Sequence, residues 1–262
     1  MRNRKDVFWN LVVPTLAIIG ILLAWQGLTS FFQIPKWLLP SPLNILSAFW
    51  QWKANLVIHI LTTSYETLAG FLLAVAIGIP LAVLMIYSRV LQSILYPILT
   101  AVQSVPRTAI APLLLVWFGA GELPKIVIVF LISFFPIVIN MLTGMRQVEE
   151  ELLDLTASLC ATKGQTVWQI RFPSAIPYAF SAFKMSITLS VVGAVIGEFV
   201  GADRGLGYMI LIAASQLKTD LAFVCIGLLA LLGMGLFGCI AMLERLFLPW
   251  YVPEEREARA QV

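Results

Sequence analysis

DLTASLCATKGQTVWQIRFPSAIPYAF, residues 154–180, is polar and basic and is closed by Pro173 and Pro177, yet long apolar runs flank it on both sides. Its beginning follows an acidic stretch, Glu149, Glu150, Glu151 and Asp154, and its later part carries Lys163 and Arg171. Acid early and base late matches the polarity of a helix dipole. The helical pattern loosens between Cys160 and Gly164 and resumes in TVWQIRF, so residues 146–177 are predicted as helix, turn and short helix. Pro173 is expected to end the short helix, and Pro177 to precede the next apolar run. Such a piece is too short and too polar to cross a bilayer, but it has the form of an element that fills a groove on a soluble partner.

The composition around it explains why it stands out. The 262-residue chain is 60% hydrophobic and 12% charged, with a mean hydropathy of +0.92. Soluble domains carry about a quarter charged residues, so this chain is an integral membrane protein. One membrane domain over 1–262 is expected, with a core of about 60–250, because no charged or Pro/Gly/Ser-rich linker divides it. The net charge of +3 includes no Lys/Arg-rich block that could serve as a nucleic-acid surface. Cys160, Cys225 and Cys239 have neither CxxC nor metal-ligand spacing, so neither disulfides nor a metal site is expected.

A helical bundle with about six transmembrane helices follows from the apolar runs, over 9–31, 62–87, 92–118, 123–145, 178–202 and 221–248. The first run is too long for a signal-peptide core and is read as a retained span. With the N-terminus in the cytoplasm, eleven basic residues lie inside, among them Arg89, Arg146, Lys163 and Arg171. Five lie outside: Lys36, Lys53, Lys125, Arg204 and Lys218. The opposite orientation reverses that ratio, so both termini and the 146–177 segment are assigned to the cytoplasm.

Ser41 and Pro42 form a helix start, an N-cap followed by proline at the first helical position. The segment after them reads as a short interfacial helix on the outer surface, with the start of a longer second span as the alternative. Pro97, Pro106, Pro112 and Arg107 crowd the third span, which is expected to face the bundle interior rather than lipid. Gly70, Ala74 and Gly78 in the second span, and Gly193, Gly197 and Gly201 in the fifth, repeat at four-residue spacing, as helix-packing surfaces do.

At residues 154–173 the chain resembles the permease subunits of bacterial ATP-binding-cassette importers, whose cytoplasmic motif reads E-A-A, three residues, Gly, nine residues, I-x-L-P. Asp154, Leu155 and Thr156 stand at E-A-A, Cys160 at the glycine, and Ile170, Phe172 and Pro173 in the closing motif with unbroken spacing. The surroundings, SVPRTAIAPLLLVWFGAG and GEFVGADRGLGYMI, are similar to the branch that imports nitrate, sulfonates, taurine and some pyrimidine vitamin precursors. The resemblance extends over roughly 35–250.

It implies that residues 154–173 couple the permease to a separate ATP-hydrolysing subunit, with Trp168, Ile170 and Phe172 as apolar anchors. A second permease copy and an extracytoplasmic solute-binding protein are the other implied partners, in the bacterial inner membrane. ATP and Mg are expected on the partner subunit, because the chain lacks a GxxxxGK[ST] loop. It is therefore read as a transporter subunit and not as an enzyme. Cys160 departs from the family glycine, so either Gly164 takes over the turn, or residue 160 has ordinary backbone angles, or the glycine's left-handed geometry survives with cysteine under strain.

The remaining candidates are intramembrane polar groups. Arg107, Asn140 and Glu198 are candidates for the pathway or its gate. Glu198 could instead be an interfacial acid or a partner of Arg204 or Arg107, and Asn140 could bridge helices. Glu66 is expected at the interface, and His59 as a solvated or satisfied side chain. An intramembrane enzyme would need convergent catalytic groups, and one peripheral histidine does not supply them. A passive channel explains the bundle but gives the 154–173 segment no role. The solute is open, with a slight preference for an aromatic or heterocyclic precursor over an inorganic anion.

Overall fold

The computed structural model describes residues 12–249. Backbone polar groups in hydrocarbon must be satisfied within their own segment, and each long apolar run is helical. In chain order the helices are α1 (Val13–Phe31), α2 (Pro42–Tyr87), α3 (Arg89–Gln103), α4 (Arg107–Phe118) and α5 (Glu122–Arg146). They are followed by α6 (Glu150–Ser158), α7 (Lys163–Thr166), a π-helical turn (Val167–Arg171), α8 (Phe172–Gly201), α9 (Leu206–Ser215) and α10 (Thr219–Phe247). Among the described residues five helices are long and apolar enough to cross a membrane, and the pair α3–α4 makes a sixth if counted as one broken span.

Helix α2 begins where the sequence marks it, with Ser41 Oγ accepting from the Asn44 N–H at 3.3 Å. It then continues for 46 residues, a rod about 69 Å long. The separate interfacial helix is not found, and the longer second span is. No glycine or proline stands between Pro42 and Gly70 to stop the helix once it has started.

The third span departs further from expectation. It breaks at residues 104–106 and bends by 98°, because Pro106 lacks an N–H and forces Val105 out of helical geometry. In the single chain this pair lies at the periphery, with only Leu99, Ala111 and Leu114 fully buried along it. The interior it was expected to face is filled by α2, α5 and α8.

Those three helices form the centre of the bundle, and α5 lies against both of the others. Small residues make the approach possible. A methyl group at Gly70 would lie 2.5 Å from Val129 Cβ and 2.8 Å from the Ile126 carbonyl oxygen. Gly78 faces Ile137, Gly193 faces Val129 and Ile132, Gly197 faces Lys125, and Gly201 faces Leu115. Gly144, which the four-residue ladders did not include, packs with comparable closeness on Ala175 and Tyr178.

Helix α8 also starts earlier than expected. The helical run from Lys163 passes through the π turn and on to Gly201 without stopping at Pro173. In the π turn the Phe172 N–H bonds to the Val167 carbonyl, one residue further back than in an α-helix. The wider turn makes room for the Pro173 ring, which otherwise meets the carbonyl four residues before it.

Candidate functional site

The helix ends collect functional candidates into two groups at opposite ends of the bundle. The first lies where α2, α5 and α10 end and α3 and α8 begin. Here α6 closes with two bonds, Cys160 N–H to the Ala157 carbonyl and Ala161 N–H to the Thr156 carbonyl, both 3.0 Å. This is the Schellman arrangement, and it requires a left-handed residue between the two helices. Cys160 supplies it with φ = 53°, a conformation that costs a side-chain-bearing residue about 1–2 kcal/mol. Gly164 has not taken over the turn, because it sits inside α7, and residue 160 does not have ordinary angles. Neither way of avoiding the strained turn is taken: the geometry that suits glycine survives, and cysteine carries its strain.

Thr162 then restarts the chain as a helix. Its Oγ1 accepts from the Gln165 N–H at 3.3 Å, and Gln165 Oε1 accepts from the Thr162 N–H at 2.8 Å, a reciprocal capping box. Asp154, Cys160 and Pro173 are exposed, and Gly164, Ile170 and Phe172 are half-buried. Trp168 is 56% exposed and lies against Phe172 with ring centroids 5.1 Å apart. Sequence reasoning missed a second apolar surface beside these anchors. Leu152, Leu155 and Leu159 are all exposed on α6, and their i, i+3, i+7 spacing puts them on one face. That spacing was readable in ELLDLTASL, but the acids interleaved with it drew attention to charge instead.

The second group is buried at the other end. Helix α9 opens with three backbone N–H groups that have no partner within the helix, and three side chains from other helices receive them. His59 Nδ1 accepts from Gly205 at 3.0 Å, Thr63 Oγ1 from Leu206 at 2.9 Å, and Glu198 Oε2 from Gly207 at 2.5 Å. The Thr63 hydroxyl in turn donates a hydrogen bond to Glu198 Oε1 at 2.6 Å. Negative charge is favoured at this position, since the positive pole of α9 points at the carboxylate. Gly205 has φ = 123°, and a side chain there or at Gly207 would collide with the Glu198 carboxylate.

Glu198 is 1% exposed, so it is not interfacial. Its hydrogen bonds go to Thr63 and Gly207, and it pairs with neither Arg204 nor Arg107. Glu66 is fully buried and ion-paired with Lys125 between α2 and α5, which corrects its expected interfacial position. Lys125, counted by sequence among the basic residues of the outer side, is a core residue. His59 is satisfied, both by Gly205 and by stacking on Tyr208. Arg107 opens α4 at the bend, half-buried, with its Nε lacking a hydrogen-bond partner. Asn140 bonds within its own helix, to the Pro136 carbonyl at 2.8 Å. Arg107 and Asn140 are thus not gathered into the Glu198 cluster. Among the described residues no group of three or more His, Cys, Asp or Glu side chains converges as a metal site requires.

Similar proteins give this arrangement a context. Residues 70–248 match the family described as binding-protein-dependent transport system inner membrane component. The riboflavin transport system permease protein of Chloroflexus aurantiacus is 34% identical over 252 residues, 95% of this chain and 94% of that protein. The formylaminopyrimidine transport permease protein of Halalkalibacterium halodurans is 32% identical, over 90% of this chain and 95% of its own length. The taurine transport system permease protein of Escherichia coli is 28% identical, over 92% and 90%. Among solved structures, an inward-facing form of the MetNI methionine ABC transporter matches with a TM-score of 0.54 and 20% identity. That match extends over 71% of this chain and 94% of the other, and it is a likeness of fold.

Proposed function

The chain belongs to the binding-protein-dependent transport system inner membrane component family, and on that premise we propose that it forms half of a heterocycle import path driven by a separate ATP-hydrolysing subunit. It is a multi-pass permease subunit of an ATP-binding-cassette importer, in the branch that includes the taurine and nitrate permeases. The finer reading concerns coupling, partners, orientation and cargo.

Coupling is assigned to residues 154–173, and the observation that carries it is the exposed Trp168 on a capped, hydrogen-bonded turn. An exposed aromatic on a rigid element is a costly arrangement in water and a useful one in a partner's groove. The segment faces the cytoplasm in this reading, supported by the excess of basic residues on its side. ATP and Mg bind the partner subunit, a second copy of the permease completes the path, and an extracytoplasmic binding protein delivers the solute. Cargo of the heterocyclic class is favoured because two relatives above 30% identity carry riboflavin and formylaminopyrimidine in their names.

The test is co-purification of the tagged permease with its ATP-hydrolysing subunit, with uptake measured in vesicles. Trp168→Ala and Phe172→Ala are each expected to weaken assembly by about 2 kcal/mol, roughly thirtyfold in occupancy. Unchanged assembly and uptake after replacing Trp168, Ile170 and Phe172 together would reduce the segment to a linker. Labelled riboflavin, a formylaminopyrimidine, taurine and nitrate, offered in parallel, test the cargo. Uptake of taurine or nitrate alone rejects the heterocycle reading.

A further inference from the structure

At the end of the bundle that carries residues 154–173, a cleft of about 880 Å³ opens between the α2–α3 junction, the end of α5, and the α6–α7 segment. Arg89, Arg146, Lys163 and Arg171 line it, and no acidic side chain does. None of the four makes an ion pair among the described residues. Two are held by the protein. Arg171 donates to the Met145 carbonyl at 2.9 Å, and Arg146 faces the Gln92 amide oxygen at 3.0–3.2 Å once that amide is turned to accept. Among the described residues no hydrogen bond or ion pair holds the side chains of Arg89 and Lys163. Four cations brought together without a counter-charge repel one another, and an anion between them removes that repulsion.

The apolar surroundings narrow the class of anion. Val90 lines the cleft and is 70% exposed, and Ile94 and Ile98 follow it on α3 at 55% and 51% exposure. Four-residue spacing puts the three on one helix face. An apolar track therefore leads from the cleft along a helix of the broken span. A free phosphate has no use for such a track, whereas an acyl chain has. We propose that the cleft binds the phosphodiester headgroup of an acidic phospholipid, with a chain lying along Val90, Ile94 and Ile98. Trp168 is not among the residues lining the cleft, but seven others of 154–173 are, Lys163 and Arg171 among them, so the site shares that segment with the coupling reading.

The experiment is native mass spectrometry of the full-length permease in mild detergent, titrated with phosphatidylglycerol and, separately, phosphatidylcholine. Arg89→Gln with Lys163→Gln is expected to weaken phosphatidylglycerol binding about thirtyfold, equivalent to about 1 kcal/mol for each surface cation removed. Phosphatidylcholine binding should not change. The charge-keeping pair Arg89→Lys with Lys163→Arg should retain affinity, which separates charge from folding. Unaltered phosphatidylglycerol affinity in the Gln pair overturns the proposal, as does loss of affinity in the charge-keeping pair. Competition by inorganic phosphate as potent as that by the lipid would make this a soluble-anion site instead. If the Gln pair loses its ATP-hydrolysing partner while keeping the lipid, the cleft belongs to an acidic segment of that partner, and the lipid assignment fails.

Discussion

Cys160 shows how a single position can keep a shape while changing the residue that makes it. The two hydrogen bonds that close α6 fix a left-handed angle whatever side chain is present, and cysteine tolerates that angle under strain. Cys160→Gly should therefore raise the melting temperature of the purified permease, with a gain of about 1–2 kcal/mol. Cys160→Ala should give no such gain, because alanine shares the Cβ that causes the strain. A fall in stability for the glycine variant would mean that the turn is not left-handed.

The Glu66–Lys125 pair permits the opposite kind of test. Removing one partner leaves a buried charge without compensation, so Lys125→Met is expected to destabilise by about 3–5 kcal/mol. The double replacement Glu66→Leu with Lys125→Met should recover most of that loss, since apolar residues of similar volume replace buried pairs with little penalty. Thermal unfolding in detergent would read both. A double variant no more stable than Lys125→Met would mean that the pair does more than neutralise itself.

Between elements, the glycines divide by what faces them. Gly70→Ala puts a methyl group into the backbone of α5, an overpacking expected to cost about 1–3 kcal/mol. Gly238 has nothing within 4 Å, so Gly238→Ala should be neutral or stabilise α10 by up to about 1 kcal/mol. Urea or thermal melts of the two variants in one detergent give the comparison, and equal effects would remove the packing argument.

Legibility at this scale followed locality. The four-residue ladders of Gly70–Gly78 and Gly193–Gly201 could be read because a helix repeats its faces within a few residues. The same is true of the turn between α6 and α7, whose motif spacing is local. The run of α2 through residues 53–62 favours the alternative of a longer second span over the interfacial helix: polar residues there resemble a boundary, but nothing in them stops a helix. The π turn before Pro173 left no mark that periodicity could detect. Glu66 and Lys125 meet only because α2 and α5 pack, and Glu198 reaches Gly207 only because α9 folds back. Neither contact has a one-dimensional signature.

For the whole molecule, the bundle places residues 154–173 and the Glu198 cluster at opposite ends. The orientation reading assigns the first to the cytoplasm. A reporter that is active only outside the cytoplasm should therefore give signal when fused after Lys36 or Lys218, and none when fused after Lys163. An inverted pattern would overturn both the orientation and the coupling assignment. Position 36, between α1 and α2, is a cleaner fusion site than any in 42–87, which is a single helix.

That helix also has a mechanical meaning. Pro80 is its one internal proline, and it stands about 10 Å from the Tyr87 end and about 57 Å from the Pro42 end at 1.5 Å per residue. Pro80 divides the rod into a short arm and a long one in a ratio of about five. Tyr87, at the tip of the short arm, lines the basic cleft, while His59, Thr63 and Glu66 ride on the long arm. One continuous backbone thereby joins the basic cleft at one end of the bundle to the buried polar cluster at the other, so the two groups share a single covalent strut.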